Sequence, residues 1–375
     1  MPSLPRSLYV HIPFCRDVCS YCDFCKLIYK DAWARDYLPA LFDEIRSFGI
    51  APKSLRTIYV GGGTPTSLAD PLFSTLLEGL APLLSDGGEF TVEANPDSLT
   101  QEKCTILAKN RVNRVSIGVQ TFSPRLLTLL RRHHTPDAIK QCLAMLANVG
   151  ISNVTVDFMY ALPGETKEEF ESDLVSFLQL DVPHISTYSL ILESGSMLGV
   201  RGFKEAPEDV QADMYERILA AFRKAGYRRY EVSNFAKRGK ESRHNQTYWK
   251  DEEYYGAGLG ASGYVGGVRY SNVRSLPLYI KNARKRESEE IVQGDDELRY
   301  YLLTNLRLED GFGKEDFQRR FGMSFEEKCK KAISLCDRGL LRLVDDRWAC
   351  TDRGMLLLDS VLVDLFPENE ESQMI

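Results

Sequence analysis

No run of about 20 apolar residues occurs in this 375-residue chain, so no membrane-crossing helix is expected. The N-terminus has no charged stretch followed by an apolar one, which gives no sign of a signal peptide. A basic excess is also missing. Lys and Arg number 47 against 53 Asp and Glu, a net charge of −6, which argues against broad nucleic-acid binding. There is no internal repeat, and no low-complexity segment beyond the acidic run Glu368-Asn-Glu-Glu371. Nine cysteines are present, but four crowd between positions 15 and 25, unlike a secreted disulfide framework. In a reducing cytoplasm they read as thiols and cluster ligands. What remains is ordinary for a globular protein: 43% hydrophobic, 27% charged, and long enough for a sizeable core and two domains.

Cys15, Cys19 and Cys22 stand in the run His11-Ile-Pro-Phe-Cys-Arg-Asp-Val-Cys-Ser-Tyr-Cys22. Thiolates spaced Cys-x3-Cys-x2-Cys can hold three corners of a [4Fe–4S] cluster and leave the fourth iron open to a small chelating cofactor. Structural zinc is the other reading. It commonly takes two Cys-x2-Cys pairs, and no second pair lies downstream unless Cys25 supplies the fourth ligand.

From residue 7 to about 232, short apolar runs alternate with amphipathic stretches. The runs are Leu8–Ile12, Thr57–Val60, Phe90–Glu93, Arg114–Val119, Asn153–Phe158 and His184–Leu190. Helical patterns span Trp33–Phe48, Pro71–Leu84, Gln101–Asn110, Pro136–Val149 and Lys167–Leu178. Alternation of this kind predicts an α/β fold of βαβ units with a parallel sheet, and six units suit a partial (β/α)6 barrel. Working residues then belong where strands end. Thr57-Ile-Tyr-Val60 runs directly into Gly61-Gly-Gly-Thr-Pro65, where consecutive glycines allow positive φ and close approach to a ligand. A plain tight turn is the alternative.

Several segments agree with one family: Tyr9-Val-His-Ile-Pro-Phe-Cys15, Gly61-Gly-Gly-Thr-Pro-Thr66, Val92-Glu-Ala-Asn-Pro96, Val115-Ser-Ile-Gly-Val-Gln120, and Val156-Asp157 leading to Leu162-Pro-Gly164. In this order they resemble the branch of radical S-adenosylmethionine (SAM) proteins that contains oxygen-independent coproporphyrinogen III oxidase and the HemW-type haem chaperones. The resemblance implies cluster ligation by Cys15, Cys19 and Cys22, with SAM on the fourth iron. It places Tyr9, Gly62, Gly63, Thr64 and Glu93 at SAM-contacting positions, and Tyr21, Gln120, Arg132 and Asp157 further around the SAM pocket. Carboxylates at strand ends can accept from ribose hydroxyls or pair with the charged end of methionine, and Arg132 can grip a carboxylate in bidentate fashion. Surface salt bridges or strand-end caps are the alternatives, most of all for Arg132 in Arg131-Arg-His-His134.

Three features separate the oxidase from the chaperone. The oxidase pattern has a further cysteine two residues after the third; here that position is Phe24, and Cys25 falls one residue late. Cys25 reads as an accessory thiol, a weak competitor for the cluster or, the favoured reading, a small buried apolar residue. The oxidase also carries an N-terminal extension, whereas this chain has 14 residues before Cys15, so that part is expected to be absent. Third, Tyr230-Glu-Val-Ser-Asn-Phe235 precedes His244-Asn-Gln-Thr-Tyr-Trp249, which resembles the chaperone's His-Asn-x-x-Tyr-Trp signature. His244 is the candidate axial ligand for haem, with Tyr248 and Trp249 against the macrocycle. Alternatively, His244 and Asn245 hold a loop over packed aromatics. Ser242 occupies a position that is often cysteine in the chaperones, which implies different or weaker haem attachment.

The glycine-rich run Tyr255–Gly263 lacks a preceding strand of a βαβ unit and is a poor dinucleotide fingerprint. Beyond a charged connector, Asn282–Glu290, helical patterns at Glu297–Asn305, Lys314–Phe321 and Phe325–Arg338 precede a hairpin, Leu340–Val344 and Arg347–Thr351 about Asp345-Asp346. This predicts a winged-helix-like α+β domain. A DNA reader built on it fails on charge: residues 297–375 hold 12 Lys and Arg against 16 Asp and Glu. The expected domains are 1–235 (radical SAM core), 236–290 (closing segment and connector) and 291–375. The expected function is haem capture and delivery to acceptor proteins, using a [4Fe–4S] cluster, SAM and haem. Partners are haem and haem-accepting proteins, without nucleic acid or membrane span, and a homodimer is left open. The alternative is a true oxidase that decarboxylates propionates in porphyrin biosynthesis.

Overall fold

The computed structural model describes residues 4–366; the acidic run Glu368–Glu371 lies outside them. The chain divides into two units. The first comprises 1–228, 233–244 and 253–290, and the second 229–232, 245–252 and 291–375.

Six strands of the first unit follow the alternating pattern: β1 (Ser7–Ile12), β2 (Leu55–Gly62), β3 (Leu84–Ala94), β4 (Arg114–Gln120), β5 (Val154–Tyr160) and β6 (His184–Ser189). They pair side by side in sequence order, all parallel. β7 (Asn234–Ala236) runs antiparallel to β6, and β8 (Tyr255–Ala257) runs parallel to β1. The glycine-rich run therefore begins as a sheet strand. Helices Asp31–Ser47, Asp70–Leu80, Gln101–Lys109, Pro136–Asn148 and Lys167–Gln179 lie close to the expected spans. Helices Pro124–Leu130 and Glu208–Lys224 are additional.

Alternation along each strand divides the sheet into two chemical faces. Leu8, Val10, Ile58, Val60, Val92, Ile117, Val156 and Ile185 join one buried cluster with helix residues such as Leu41, Leu76, Leu146 and Phe177. The opposite face carries Ser7, Tyr9, Thr57, Tyr59, Glu93, Ser116 and Asp157. Parallel strands are usually apolar on both faces. A polar face here requires another use, and burial shows where: in β1 and β5 the single residue that is not buried is Tyr9 and Asp157, respectively.

Three further strands, β9 (Ser262–Val265), β10 (Val268–Asn272) and β11 (Arg286–Ile291), form a separate sheet. The charged connector therefore holds a strand instead of a linker, for a specific reason. Glu44 on the first helix is fully buried and accepts from Gly258 N–H (2.8 Å), Asn272 Nδ2 (2.8 Å), Tyr279 Oη (2.6 Å) and Arg286 Nη1 (2.8 Å). Tyr37, two turns earlier, donates to His11 O (2.6 Å) and accepts from Leu259 N–H (3.0 Å). Two polar residues of one helix thus fasten the glycine-rich segment to the edge of β1.

The second unit packs Phe312, Phe317, Phe325, Leu335 and Trp348 into its own core. Helices Asp295–Asn305, Lys314–Phe321, Phe325–Lys328 and Ala332–Asp337 precede β13 (Leu341–Val344) and β14 (Arg347–Cys350), with β12 (Phe312–Gly313) on the other side of β14. Asp345 and Asp346 both take positive φ (50° and 57°), as a two-residue hairpin turn demands. One expected helix, Phe325–Arg338, is two. The first turn starts on a capping box from Ser324 and Glu327, and the helix breaks after Lys328.

Candidate functional site

The ends of β1 to β5 converge on the cysteine segment. β1 runs through His11 and Ile12 toward Cys15, and Leu27–Ile28 pair with Phe14–Cys15 to close the segment into a loop. Ser20 fixes its middle: its N–H donates to Leu130 O (3.2 Å) and its hydroxyl to Leu129 O (2.7 Å). Tyr21 packs beside the apolar group of Leu126, Leu130, Met159 and Leu190. Burial pushes the Cys15 thiol up to about 12 and raises Cys22, so a metal bound by these sulfurs would have to displace their protons.

Gly61–Thr64 form the floor beside Cys15. Gly62 has φ +110°, and a Cβ there would sit 2.5 Å from the His11 ring. A Cβ on Gly63 would lie 2.8 Å from Phe14 O and 2.9 Å from Cys15 Sγ. Only glycine leaves this cradle open. Thr64 Oγ1 donates to Cys15 Sγ (3.8 Å) and accepts from Asn95 Nδ2 (3.0 Å). Arg132 then donates to Asn95 Oδ1 (3.0 Å), to Gly118 O and to Cys19 Sγ (3.6 Å). Arg132, which by sequence pattern could have been a surface cation, is thus only 9% exposed and tied to Cys19.

Glu93 accepts from Tyr59 Oη (2.7 Å) and Gly62 N–H (3.0 Å). Burial, with Asp157 nearby, pushes its carboxyl up to about 7; burial likewise pushes Asp157, which accepts from Ser116 Oγ (3.3 Å), up to about 6. Two carboxyls held this high in a partly open polar space favour a cationic occupant. Tyr9 shares a hydrogen bond with His11 Nδ1 (2.9 Å). Gln120 is buried at the end of β4 with φ 69°. Tyr9, Gly62, Gly63, Thr64, Glu93, Gln120, Arg132 and Asp157 therefore gather at one end of the strands.

His244 lies nearer the start of β2, with Tyr59 between it and Glu93. Its Nδ1 is 2.8 Å from Thr57 Oγ1, its backbone N–H donates to Glu89 Oε1 (2.9 Å), and its ring packs on Tyr59 at 5.2 Å. Thr57 is five residues before Gly62 on β2, roughly 16 Å along the strand. His244 is fully buried, which lowers its pKa to about 3. Iron ligation by it would require this segment to leave the polar face. Buried Ser242 lies 3.5 Å from Glu89 Oε1 through its hydroxyl. Tyr248 and Trp249 fall in the second unit.

Asn95, Tyr59, His11 and Ser116 were not predicted as site residues. Asn95 was visible inside Glu93-Ala-Asn-Pro96, and Tyr59 as a polar-face residue in Thr57-Ile-Tyr-Val60; only pairing across strands shows what they touch. Cys25 is half-buried. Its carbonyl accepts from His11 Nε2 (2.7 Å) and its Sγ lies 4.0 Å from Arg274 O.

Three thiols on one short loop, Cys15, Cys19 and Cys22, would suit three irons of a [4Fe–4S] cluster and leave the fourth iron open.

Residues 9–175 match the Radical SAM superfamily and residues 292–357 the HemN C-terminal domain. The chain is 42% identical to the heme chaperone HemW of Lactococcus lactis subsp. lactis (strain IL1403), over 95% of this chain and 96% of that one. It is 36% identical to the heme chaperone HemW of Bacillus subtilis (strain 168), over 95% and 98%. Its fold is similar to that of the radical SAM enzyme coproporphyrinogen III oxidase (HemN) from Escherichia coli, with a TM-score of 0.83 at 23% identity, covering 98% of this chain and 91% of that one. The superfamily match implies a [4Fe–4S] cluster and SAM, and no described helix is long and apolar enough to cross a membrane.

Proposed function

The chain belongs to the HemW family of radical SAM proteins, and from that premise we propose that it is a haem chaperone, taking up haem and passing it to acceptor haemoproteins. The observation that carries the reading is identity of 42% sustained over nearly the whole of both chains. The likeness to the oxidase is one of fold, at 23% identity.

A cluster on Cys15, Cys19 and Cys22 supplies an electron donor and one iron able to take the amino and carboxylate groups of SAM. The chain's own residues prepare that place. Glu93 would face the ribose hydroxyls or the positive end of the methionine moiety, and a cation there would favour its ionised form. Gly62 and Gly63 keep the backbone close, and Arg132 answers a carboxylate while bracing Cys19. Asp157 and Gln120 line the same space, with Tyr9 and Tyr21 at its walls. We assign His244 to holding its segment against the start of β2 and not to the iron of haem, because Thr57 engages its Nδ1 and Tyr59 packs on its ring. With all nine cysteines as free thiols, a reducing cytoplasm suits the protein.

The test is anaerobic incubation of the reconstituted protein with SAM, reductant and coproporphyrinogen III, read by mass spectrometry. Recovery of the porphyrinogen unchanged, with cluster and SAM both bound, is expected. Stepwise loss of carbon dioxide would make the protein an oxidase.

A further inference from the structure

Beside the cysteine loop, within the first unit, lies a shallow groove of about 700 Å³ that is broadly open to solvent. Phe24, Ile28 and Trp33 line it, with exposures of 69%, 48% and 37%. Three large apolar side chains left in water on one short segment mark a surface that gains by being covered. The loop cannot cover them by folding in, because its backbone is fixed. Leu27 N–H donates to Pro13 O (2.6 Å), Tyr29 N–H donates to Cys15 O (2.8 Å), and Cys25 O accepts from His11 Nε2 (2.7 Å).

Charge completes the pattern. Lys26, Lys30 and Arg274 line the same groove, and none of its lining residues is acidic. Each cation is held in place. Lys26 Nζ donates to Cys22 O (2.5 Å), Lys30 Nζ lies 4.1 Å from the Trp33 ring centre, and Arg274 Nη2 donates to Asp23 O (3.3 Å). An aromatic surface edged by cations matches a flat apolar molecule carrying carboxylates.

We propose that this groove docks haem, with the macrocycle against Phe24 and Trp33 and the two propionates on Lys30 and Arg274. The inference rests on the chaperone reading and deepens it. Haem is recognised on the flank of the cluster loop, through its ring and carboxylates and not through its iron.

The test is titration of the cluster-loaded protein with haem and, separately, with iron-free protoporphyrin IX, followed by absorbance. Both are expected to bind one to one with similar affinity. Phe24→Ala and Lys30→Glu are each expected to weaken both ligands by about tenfold, the Lys30 effect shrinking as salt rises. Both side chains are solvent-exposed, and the cluster absorption of each variant reports intact folding. One-to-one haem binding that neither variant changes, or binding of haem but not of the iron-free ring, would overturn the groove and leave the chaperone reading standing. Absence of any saturable haem binding to the unaltered protein would overturn the chaperone reading itself.

Discussion

Replacing Glu93 with Gln should favour the SAM-free fold increasingly as pH rises. Glu93 sits between Tyr59 Oη and Gly62 N–H with its carboxyl pushed from 4.5 to about 7, chiefly by burial. A carboxyl raised in this way contributes its full stability below its unfolded value of 4.5 and loses it as pH climbs through about 7. At about 1.36 kcal/mol per pH unit, the gap corresponds to an upper limit of ~3 kcal/mol. Glu93 keeps some contact with solvent, so ~2 kcal/mol is the expected difference. Gln forfeits one of the two accepted hydrogen bonds at every pH, and comparing pH 5 with pH 8 cancels that cost. The assay is urea unfolding of Glu93→Gln and the unaltered protein at both pH values, paired with SAM titration. The variant should gain ~2 kcal/mol relative to the unaltered protein between pH 5 and pH 8, while binding SAM more weakly. An equal difference at both pH values would refute the argument that burial of a charge-bearing carboxyl controls this site.

Cys19→Ala should abolish the visible absorption of the reconstituted cluster; retention of the band would remove Cys19 from the ligand set. Gly63→Ala places a methyl group 2.9 Å from Cys15 Sγ and should lower bound iron per chain, checked by iron analysis against an unchanged far-ultraviolet spectrum. Glu44→Ala strips the acceptor from four buried or half-buried donors and should cost about 3–5 kcal/mol in urea unfolding. A loss below about 1 kcal/mol would mean that the glycine-rich segment is held by something else. His244→Ala should lower stability by about 1–3 kcal/mol while sparing one-to-one haem binding. Unchanged stability with haem binding lost would return His244 to the role of iron ligand.

The strands were legible because the sequence alternates two chemistries along them. Thr57-Ile-Tyr-Val60 and Arg114-Val-Ser-Ile-Gly-Val-Gln120 put one face into the apolar core and the other onto the polar one. Cys15, Cys19 and Cys22 stood out by spacing, and the fold brings their loop beside Gly63, Thr64 and Arg132. The bracing residues were harder. Asn95 gains meaning only when Thr64 and Arg132, 31 and 37 residues away, arrive beside it. Glu44 looks like one more exposed helix carboxylate until Tyr279 and Arg286 close over it, and the same contact turns the charged connector into a strand. His244 is the harder case. A motif marks it out, but a buried imidazole that holds a segment and one that binds iron carry the same letter, and only its contacts with Thr57 and Tyr59 bear on the choice.

Haem handover tests the account's central claim most directly. The protein is loaded with haem, separated from excess, and mixed with an apo-haemoprotein whose holo spectrum differs from that of the loaded donor. The account predicts that the acceptor's holo spectrum appears faster than with an equal amount of haem on serum albumin, and that its rate depends on acceptor concentration. Haem that stays on the donor, or leaves at a rate independent of the acceptor, would contradict it.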